Sequence, residues 1–344
     1  MINKNNQVLS FAALTGIALL GASAMVQAAT LDEVKDRGQV RCGVSDGLAG
    51  FSSPDSKGKW QGIDVEVCKA VAAAVLDDQN KVAFAPLTAK ERFTALQSGE
   101  VDVLSRNTTW TASRDNSMGL NFAGVNFYDG QGFLVKKSLG VSSARELDGA
   151  SICVNSGTTT ELNLADYFRA QDMQYKAVAF DEMSQTAQGF DSGRCDALTS
   201  DSSQLAALRL QLKEPDSAVI LPERISKEPL GPVVAQGDDQ WFDVVKWTLF
   251  AMLDAEELGV TSSNVDDMRD NPPNPNVARL LGKDGNYGEQ MGLSNAWAYN
   301  IIKQVGNYGE VYDRTVGKDS PLDIPRGINA LWNNGGIQYA PPIR

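Results

Sequence analysis

An internal repeat constrains the fold of this chain more than any other feature. Residues 98–107, SGEVDVLSRN, align without a gap on residues 192–201, SGRCDALTSD, and the Ser-Gly pair, the Asp and the Leu coincide. Each segment ends a helical pattern at a glycine and leads through an apolar run to a polar residue, Asn107 or Asp201. Two similar folding units are therefore expected.

The order of elements supports this duplication. Residues 39–105 alternate strand, helix, strand, helix and strand patterns, and residues 150–199 repeat that order. Such alternation predicts an α/β fold of two lobes, each a mostly parallel sheet flanked by helices. Glycine- and proline-rich segments at 128–135 and 228–237 are the expected crossings between the lobes.

Two crossings imply that the first lobe is built from two separated parts of the chain. The predicted division is a first lobe at 29–132, a second lobe at 133–231, a return to the first lobe at 232–259, and a helical carboxyl-terminal extension at 260–344 that packs on the first lobe.

Residues 1–28 have the pattern of a cleaved signal peptide. A lysine near the start precedes an apolar run at 11–20, and small residues precede Ala29. That run is too short to cross a bilayer, which takes about 20 residues. The pattern predicts export from the cytoplasm.

Charge and residue usage exclude several functions. Removal of residues 1–28 takes away one lysine and moves the net charge from −12 to −13, which disfavours nucleic-acid binding. The sequence contains no histidine, so histidine-dependent nucleophilic mechanisms and histidine metal sites are excluded. Neither a cofactor nor a bound metal is expected.

The four cysteines predict two disulfides in an oxidising compartment, with three possible connectivities. Cys42 falls on the first strand and Cys68 on the helix expected to pack against it. Cys153 and Cys195 fall on strand patterns of the second half. We therefore predict the pairs Cys42–Cys68 and Cys153–Cys195, one in each lobe.

Ligands of open α/β sheets bind beyond the carboxyl ends of the strands. Asn107, Asp201 and the loop 45–50 are expected there, together with a helix start in which Thr158 and Glu161 form a capping box. The first amides of a helix attract anions, although this cap also fits a purely local role. Arg114, seven residues after Asn107, is suited to a carboxylate or to a solvated surface.

Four segments in this order and spacing resemble the amino-acid-binding proteins of bacterial ABC importers, the polar-amino-acid family of solute-binding proteins, over about residues 30–259. The similarity is greatest to the general L-amino-acid-binding type, which also carries a long carboxyl-terminal extension. The segments are GIDVEVCKAVA at 62–72, SGEVDVLSRNTTWTASR at 98–114, SGTTTEL at 156–162 and SGRCDALTSD at 192–201.

The resemblance implies a type II periplasmic-binding-protein fold and a role for each site residue. Arg114 would hold the α-carboxylate of an L-amino acid, helped by Thr109 and by Thr159 with its amide at the Thr158 helix start. Asp201 would hold the α-ammonium group, with the carbonyl of Asn107 nearby.

Departures from the family pattern concern the ligand side chain. Ser45 and Leu48 stand where many relatives have an acidic residue and an aromatic clamp, which implies a broad pocket. Arg92 matches an arginine that faces the side chain in relatives specific for acidic amino acids. A tilt towards polar or acidic ligands follows from that match, and an exposed helix position is the alternative.

The resemblance therefore implies a monomeric periplasmic protein, not an enzyme, that closes on L-amino acids and delivers them to a membrane-embedded ABC permease. A dehydratase of the same fold, acting on prephenate or arogenate, is the alternative. The sequence shows no second carboxylate beside Asp201 for acid–base chemistry.

Overall fold

The computed structural model describes residues 29–344, and the signal peptide predicted at 1–28 lies outside them. None of the helices within 29–344 is long and apolar enough to cross a membrane. The thirteen α-helices of this part of the chain are α1 Thr30–Arg37, α2 Ile63–Leu76, α3 Arg92–Gln97, α4 Ala112–Ser117, α5 Thr159–Ala170, α6 Met183–Asp191, α7 Ser202–Arg209, α8 Asp239–Glu257, α9 Val265–Asp270, α10 Pro275–Leu280, α11 Tyr287–Gln290, α12 Trp297–Gln304 and α13 Tyr308–Thr315.

Fourteen strands lie among the described residues. They are β1 Val40–Ser45, β2 Ser53–Pro54, β3 Trp60–Gln61, β4 Val82–Leu87, β5 Val103–Leu104, β6 Leu120–Phe122, β7 Phe127–Asp129, β8 Gln131–Lys136, β9 Ser151–Asn155, β10 Lys176–Phe180, β11 Ala197–Asp201, β12 Ala218–Ile220, β13 Glu228–Leu230 and β14 Val233–Ala235.

Two five-stranded sheets define two lobes. The sheet of the first lobe has the order β4-β1-β5-β14-β6, and that of the second lobe has the order β10-β9-β11-β8-β12. In each, the first three strands are parallel and the fourth is antiparallel to its neighbour, β14 in one sheet and β8 in the other. The repeated segments form β5 and β11 and occupy the same place in their sheets, which explains the internal repeat.

The chain crosses between the sheets twice, and the crossings pair with each other. β7 and β13 form an antiparallel pair in which Phe127 faces Leu230 and Asp129 faces Glu228. The second crossing also binds the first lobe, because the amide of Trp110 donates to the carbonyl of Pro229 at 2.8 Å. The pair lies at the predicted crossings, whereas the exact lobe boundaries stay predictions.

Both predicted disulfides are present. Cys42–Cys68 joins β1 to α2, and Cys153–Cys195 joins β9 to the segment before β11. Each bond lies within one lobe, so neither restricts movement of one lobe against the other.

The residues after 259 share a hydrophobic core with the first lobe. α12 packs against α2 and α8, and α13 packs against α8. Their buried side chains join one cluster with those of the first sheet, among them Trp297, Ile301, Tyr308 and Tyr312. Asn329 also exchanges two hydrogen bonds with the backbone of Tyr128 in β7, so the extension contacts a crossing strand directly.

Candidate binding cleft

A small polar cavity lies between the lobes, beyond the carboxyl ends of the parallel strands. The residues that line it come from both sheets and are mostly polar: Arg92, Arg106, Asn107, Thr109, Asn155, Thr158, Thr159, Thr160, Met183, Ser200, Asp201 and Gln204. Six of them, namely Arg92, Asn107, Thr109, Thr158, Thr159 and Asp201, are among the predicted site residues.

The lobes touch on two sides of this cavity. At its back, the hydroxyl oxygens of Thr109 and Thr159 are 3.3 Å apart. At the surface, Lys90 of the first lobe and Asp181 of the second form an ion pair of 2.5 Å. The arrangement is therefore closed.

The helix start of α5 contributes free amides to the cavity wall. Thr158 is the N-cap, and its hydroxyl accepts from the amide of Glu161 at 3.2 Å. The amides of Thr159 and Thr160 precede the first intrahelical hydrogen bond. The Glu161 carboxylate accepts from the Gly157 amide rather than from Thr158, so the predicted capping box is only half formed.

Asn107 is held in a strained backbone conformation at the opposite wall. Its φ of 33° lies in the left-handed region, which a non-glycine residue rarely adopts. Its amide donates to Asp64 at 2.7 Å, and burial raises the pKa of that carboxyl to about 6. The buried Asn107 Oδ1 has no protein partner. Strain maintained in this way is typical of ligand-contacting backbone.

Three buried arginines of the first lobe, Arg92, Arg106 and Arg114, form an arginine cluster on one side of the cavity. Arg92 and Arg114 pack on the ring of Phe93, with guanidinium carbons 4.7 and 5.1 Å from its centroid. Arg106 donates to the Leu87 carbonyl at 2.8 Å. Arg114 lies behind Thr109, to whose carbonyl its Nη1 donates at 2.8 Å, and does not itself line the cavity.

The arginine cluster is electrostatically costly. Burial, followed by repulsion from Arg114 and Arg106, holds the pKa of Arg92 well below its usual range. Burial also lowers the pKa of Arg114 to about 10. Arg92 is only 2% exposed and its Nε has no partner within the protein. The exposed-helix interpretation of Arg92 is therefore wrong.

Asp201 ends β11 at the other side of the cavity. Gln204 donates to its Oδ2 at 2.7 Å, while Oδ1 is buried without a partner in the protein. Burial, then the negative charges of Asp129 and Glu228, raises the pKa of Asp201 well above its usual range. These three carboxylates form a carboxylate cluster.

Asp129 and Glu228 come from the two crossing strands, and both oxygens of each carboxylate accept hydrogen bonds within the protein. Asp129 accepts from the amide of Gly130 and from both the amide and the hydroxyl of Ser203. Glu228 accepts from four side chains of both lobes. The expectation that no further carboxylate lies beside Asp201 is wrong, because residues distant in sequence converge at the crossings.

The loop 45–50 does not contribute the predicted residues to the cavity. Leu48 is fully buried in the core of the first lobe, because the loop turns back and its backbone pairs with Ser52. Ser45 is also buried, and its amide donates to the Ser52 hydroxyl. Asp46 of this loop faces the arginine cluster instead, with its Oδ1 3.9 Å from Arg106.

Two residues that build or support the cleft, Arg106 and Gln131, were not predicted from the sequence. Arg106 sits within the repeated segment at 98–107, beside Asn107, and its position at the end of β5 was an available signal. Gln131 is fully buried and its Nε2 donates to both the Thr160 carbonyl and the Thr199 hydroxyl at 2.9 Å, which fixes α5 on β11. No local pattern distinguishes it.

Two sheets of matching order, two crossings and a polar cavity between the lobes define the class: this is a type II periplasmic-binding-protein fold. A model for bacterial extracellular solute-binding proteins, family 3, matches residues 40–262. The chain belongs to that family.

Relatives similar over the full length come from several bacteria. The general L-amino acid-binding periplasmic protein AapJ of Rhizobium johnstonii is 58% identical over 98% of this chain and 99% of its own. The glutamate/glutamine/aspartate/asparagine-binding protein BztA of Rhodobacter capsulatus is 52% identical over 97% and 99%. A periplasmic binding protein from Brucella ovis, solved with glutathione bound, is 56% identical with a TM-score of 0.90, covering 92% of this chain and all of that one.

Proposed function

We propose that the protein is a periplasmic receptor that closes on one L-amino acid and presents it to an ABC permease. The observation that carries this proposal is the pairing of the arginine cluster and helix-start amides on one side of the cavity with Asp201 on the other. A zwitterionic ligand, which carries one negative and one positive group, matches both sides of the cavity. The names of the relatives from Rhizobium and Rhodobacter support an amino-acid ligand.

In the proposed complex, the amides of Thr159 and Thr160 hold the α-carboxylate, and Arg114 moves from behind Thr109 to join them. The guanidinium of Arg114 has five N–H donors, of which one is used at the Thr109 carbonyl. Asp201 holds the α-ammonium group through Oδ1, which has no partner in the protein. The strained Asn107 presents its carbonyl to the same group.

The ligand side chain faces Arg92 and Arg106 in this complex. Both are buried, and the Nε of Arg92 has no partner in the protein, so a carboxylate or amide oxygen there would satisfy it. Glutamate, aspartate, glutamine and asparagine are therefore the proposed ligands. The Rhodobacter relative is named for these four amino acids.

Glutathione is a further ligand to be tested, because the Brucella relative was solved with it bound. It contains a γ-linked glutamate with a free α-carboxylate and α-ammonium group.

The dehydratase alternative needs a general acid–base pair with free oxygens in the cavity. Although three carboxylates converge, both oxygens of Asp129 and of Glu228 already accept hydrogen bonds within the protein, and of the three only Asp201 has an oxygen without a partner. This favours binding without catalysis. Formation of product from prephenate or arogenate would reverse the preference.

A thermal-shift screen against all common amino acids and glutathione tests the proposal. A ligand that binds the native state raises its stability by RT ln(1 + [L]/Kd), about 2.7 kcal/mol at 100 Kd. We expect the largest rise in Tm with glutamate and aspartate, then with their amides. A flat response across the panel would refute amino-acid binding.

A further inference from the structure

We infer that Glu228 is a positioning residue that couples lobe closure to the binding cleft. The inference rests on the proposed function and adds to it a residue that none of the family-pattern segments contains. Glu228 lies on β13, the second crossing, and is 1% exposed.

The Glu228 carboxylate accepts hydrogen bonds from both lobes at once. Oε2 accepts from the hydroxyls of Thr109 and Thr159 at 2.6 and 2.9 Å. Oε1 accepts from Asn163 Nδ2 and the Ser226 hydroxyl at 2.7 and 2.6 Å. Thr109 belongs to the first lobe, Thr159 and Asn163 to the second, and Ser226 precedes the crossing strand. The full set therefore forms only when the lobes are together.

These bonds also fix the direction of the two threonine hydroxyls. An ionised carboxylate only accepts hydrogen bonds, and a hydroxyl has one proton to give. With both protons directed to Glu228, the oxygens of Thr109 and Thr159 face the cavity as acceptors. They are then suited to the ligand ammonium group, and the ligand carboxylate is left to Arg114 and the α5 amides.

Neutralising Glu228 removes these hydrogen bonds between the lobes, and it changes only the contact of the two hydroxyls with the α-ammonium group, which all amino-acid ligands share. In Glu228→Gln the amide nitrogen cannot accept, so two of the four donors lose their acceptor. The loss of a hydrogen bond to a charged group weakens the closed state roughly 10- to 100-fold. The apparent affinity is the intrinsic affinity multiplied by the fraction of protein that is able to close. Because that fraction is the same for every ligand, every ligand should lose affinity by the same factor, roughly 10- to 100-fold.

The experiment compares wild type, Glu228→Gln and the matched control Glu223→Gln, whose carboxylate accepts from Ser143 within the second lobe. Calorimetry gives Kd for L-glutamate, L-glutamine and L-alanine, and small-angle X-ray scattering without ligand gives the radius of gyration. We expect equal losses for the three ligands and a larger radius for Glu228→Gln, with the control unchanged.

A selective loss, tighter binding or an unchanged radius would overturn the inference. Tighter binding would mean that Glu228 acts only by repelling the ligand carboxylate. If wild type bound no amino acid, the proposed function would fail. The scattering comparison would still test whether the hydrogen bonds of Glu228 hold the lobes together. Should Glu228→Gln not fold, Asn163→Leu removes one donor of the second lobe and is expected to give a smaller, equally uniform loss.

Discussion

Replacing Arg92 by methionine is expected to raise the free energy of unfolding and to weaken the binding of glutamate. The guanidinium is buried beside two other arginines, and its pKa is held well below the usual range, chiefly by burial. Its Nε lacks a partner in the protein. Such a group is costly in the folded protein and becomes favourable when a ligand carboxylate meets it.

The size of both effects follows from these contacts. An unpaired buried donor costs about 1 to 3 kcal/mol of stability, which the methionine variant recovers. Loss of the contact between the Arg92 guanidinium and the Phe93 ring offsets roughly 0.5 to 2 kcal/mol of that gain. The net gain in the free energy of unfolding is about 1 kcal/mol, or roughly 2 to 4 °C in Tm. Truncating one partner of a buried charge pair costs about 2 to 5 kcal/mol, so Kd for glutamate should rise roughly 30- to 5,000-fold.

Urea unfolding without ligand and calorimetry with L-glutamate and L-alanine measure the two effects separately. Alanine does not reach Arg92 in the proposed complex, so its Kd should change little. Arg169→Met, at an exposed position of α5, is the control for loss of a positive charge. Reduced stability together with equal losses for both ligands would refute this reasoning and assign Arg92 a structural role.

Three further changes are expected to have defined results. Arg114→Ala should weaken binding of every amino acid by about 3 to 5 kcal/mol in calorimetry, since the ligand carboxylate stays buried without its partner, while Arg169→Ala should not. Burial raises the pKa of Asp254 to about 7, so wild type loses stability as pH rises from about 4 to 7. Asp254→Asn should therefore be more stable in urea by up to roughly 4 kcal/mol at pH 8 and equal at pH 4. Replacing Cys153 and Cys195 by serine opens a loop with a separation of 42 residues and should lower the free energy of unfolding by roughly 4 kcal/mol with little change in Kd.

Much of the fold could be predicted because it depends on local patterns repeated along the chain. The strand that ends at Asp201 and its counterpart at 103–104 are short apolar runs after a glycine, and both were placed correctly. The disulfides followed from that map, because a helix after a strand packs back on it. In each case the decisive neighbours lie within about 40 residues of each other.

Residues of the cleft could be predicted only where a single segment of the sequence places them there. Glu228 was interpreted as part of a crossing, because its partners Thr109 and Thr159 are 119 and 69 residues away. Leu48 was assigned to the ligand pocket by analogy with relatives, whereas its apolar side chain is more stable in the core beneath the loop. The hydrophobic periodicity of a segment indicates which of its residues are buried. It does not indicate which buried polar groups of distant segments come into contact at the crossings.

The buried charges on the two sides of the cleft are opposite in sign, which favours closure around a dipolar ligand. The arginine cluster belongs entirely to the first lobe, whereas the carboxylate cluster comes from the second lobe and the crossings. Burial is the main cause of the lowered pKa of Arg92 and the raised pKa of Asp201, and repulsion between charges of one sign within each group adds to both shifts. A dipolar ligand placed between the groups relieves both, and an added side-chain carboxylate relieves the arginine side further. Affinity for acidic amino acids should therefore change more with salt than affinity for alanine, because glutamate and aspartate carry a net charge and alanine does not.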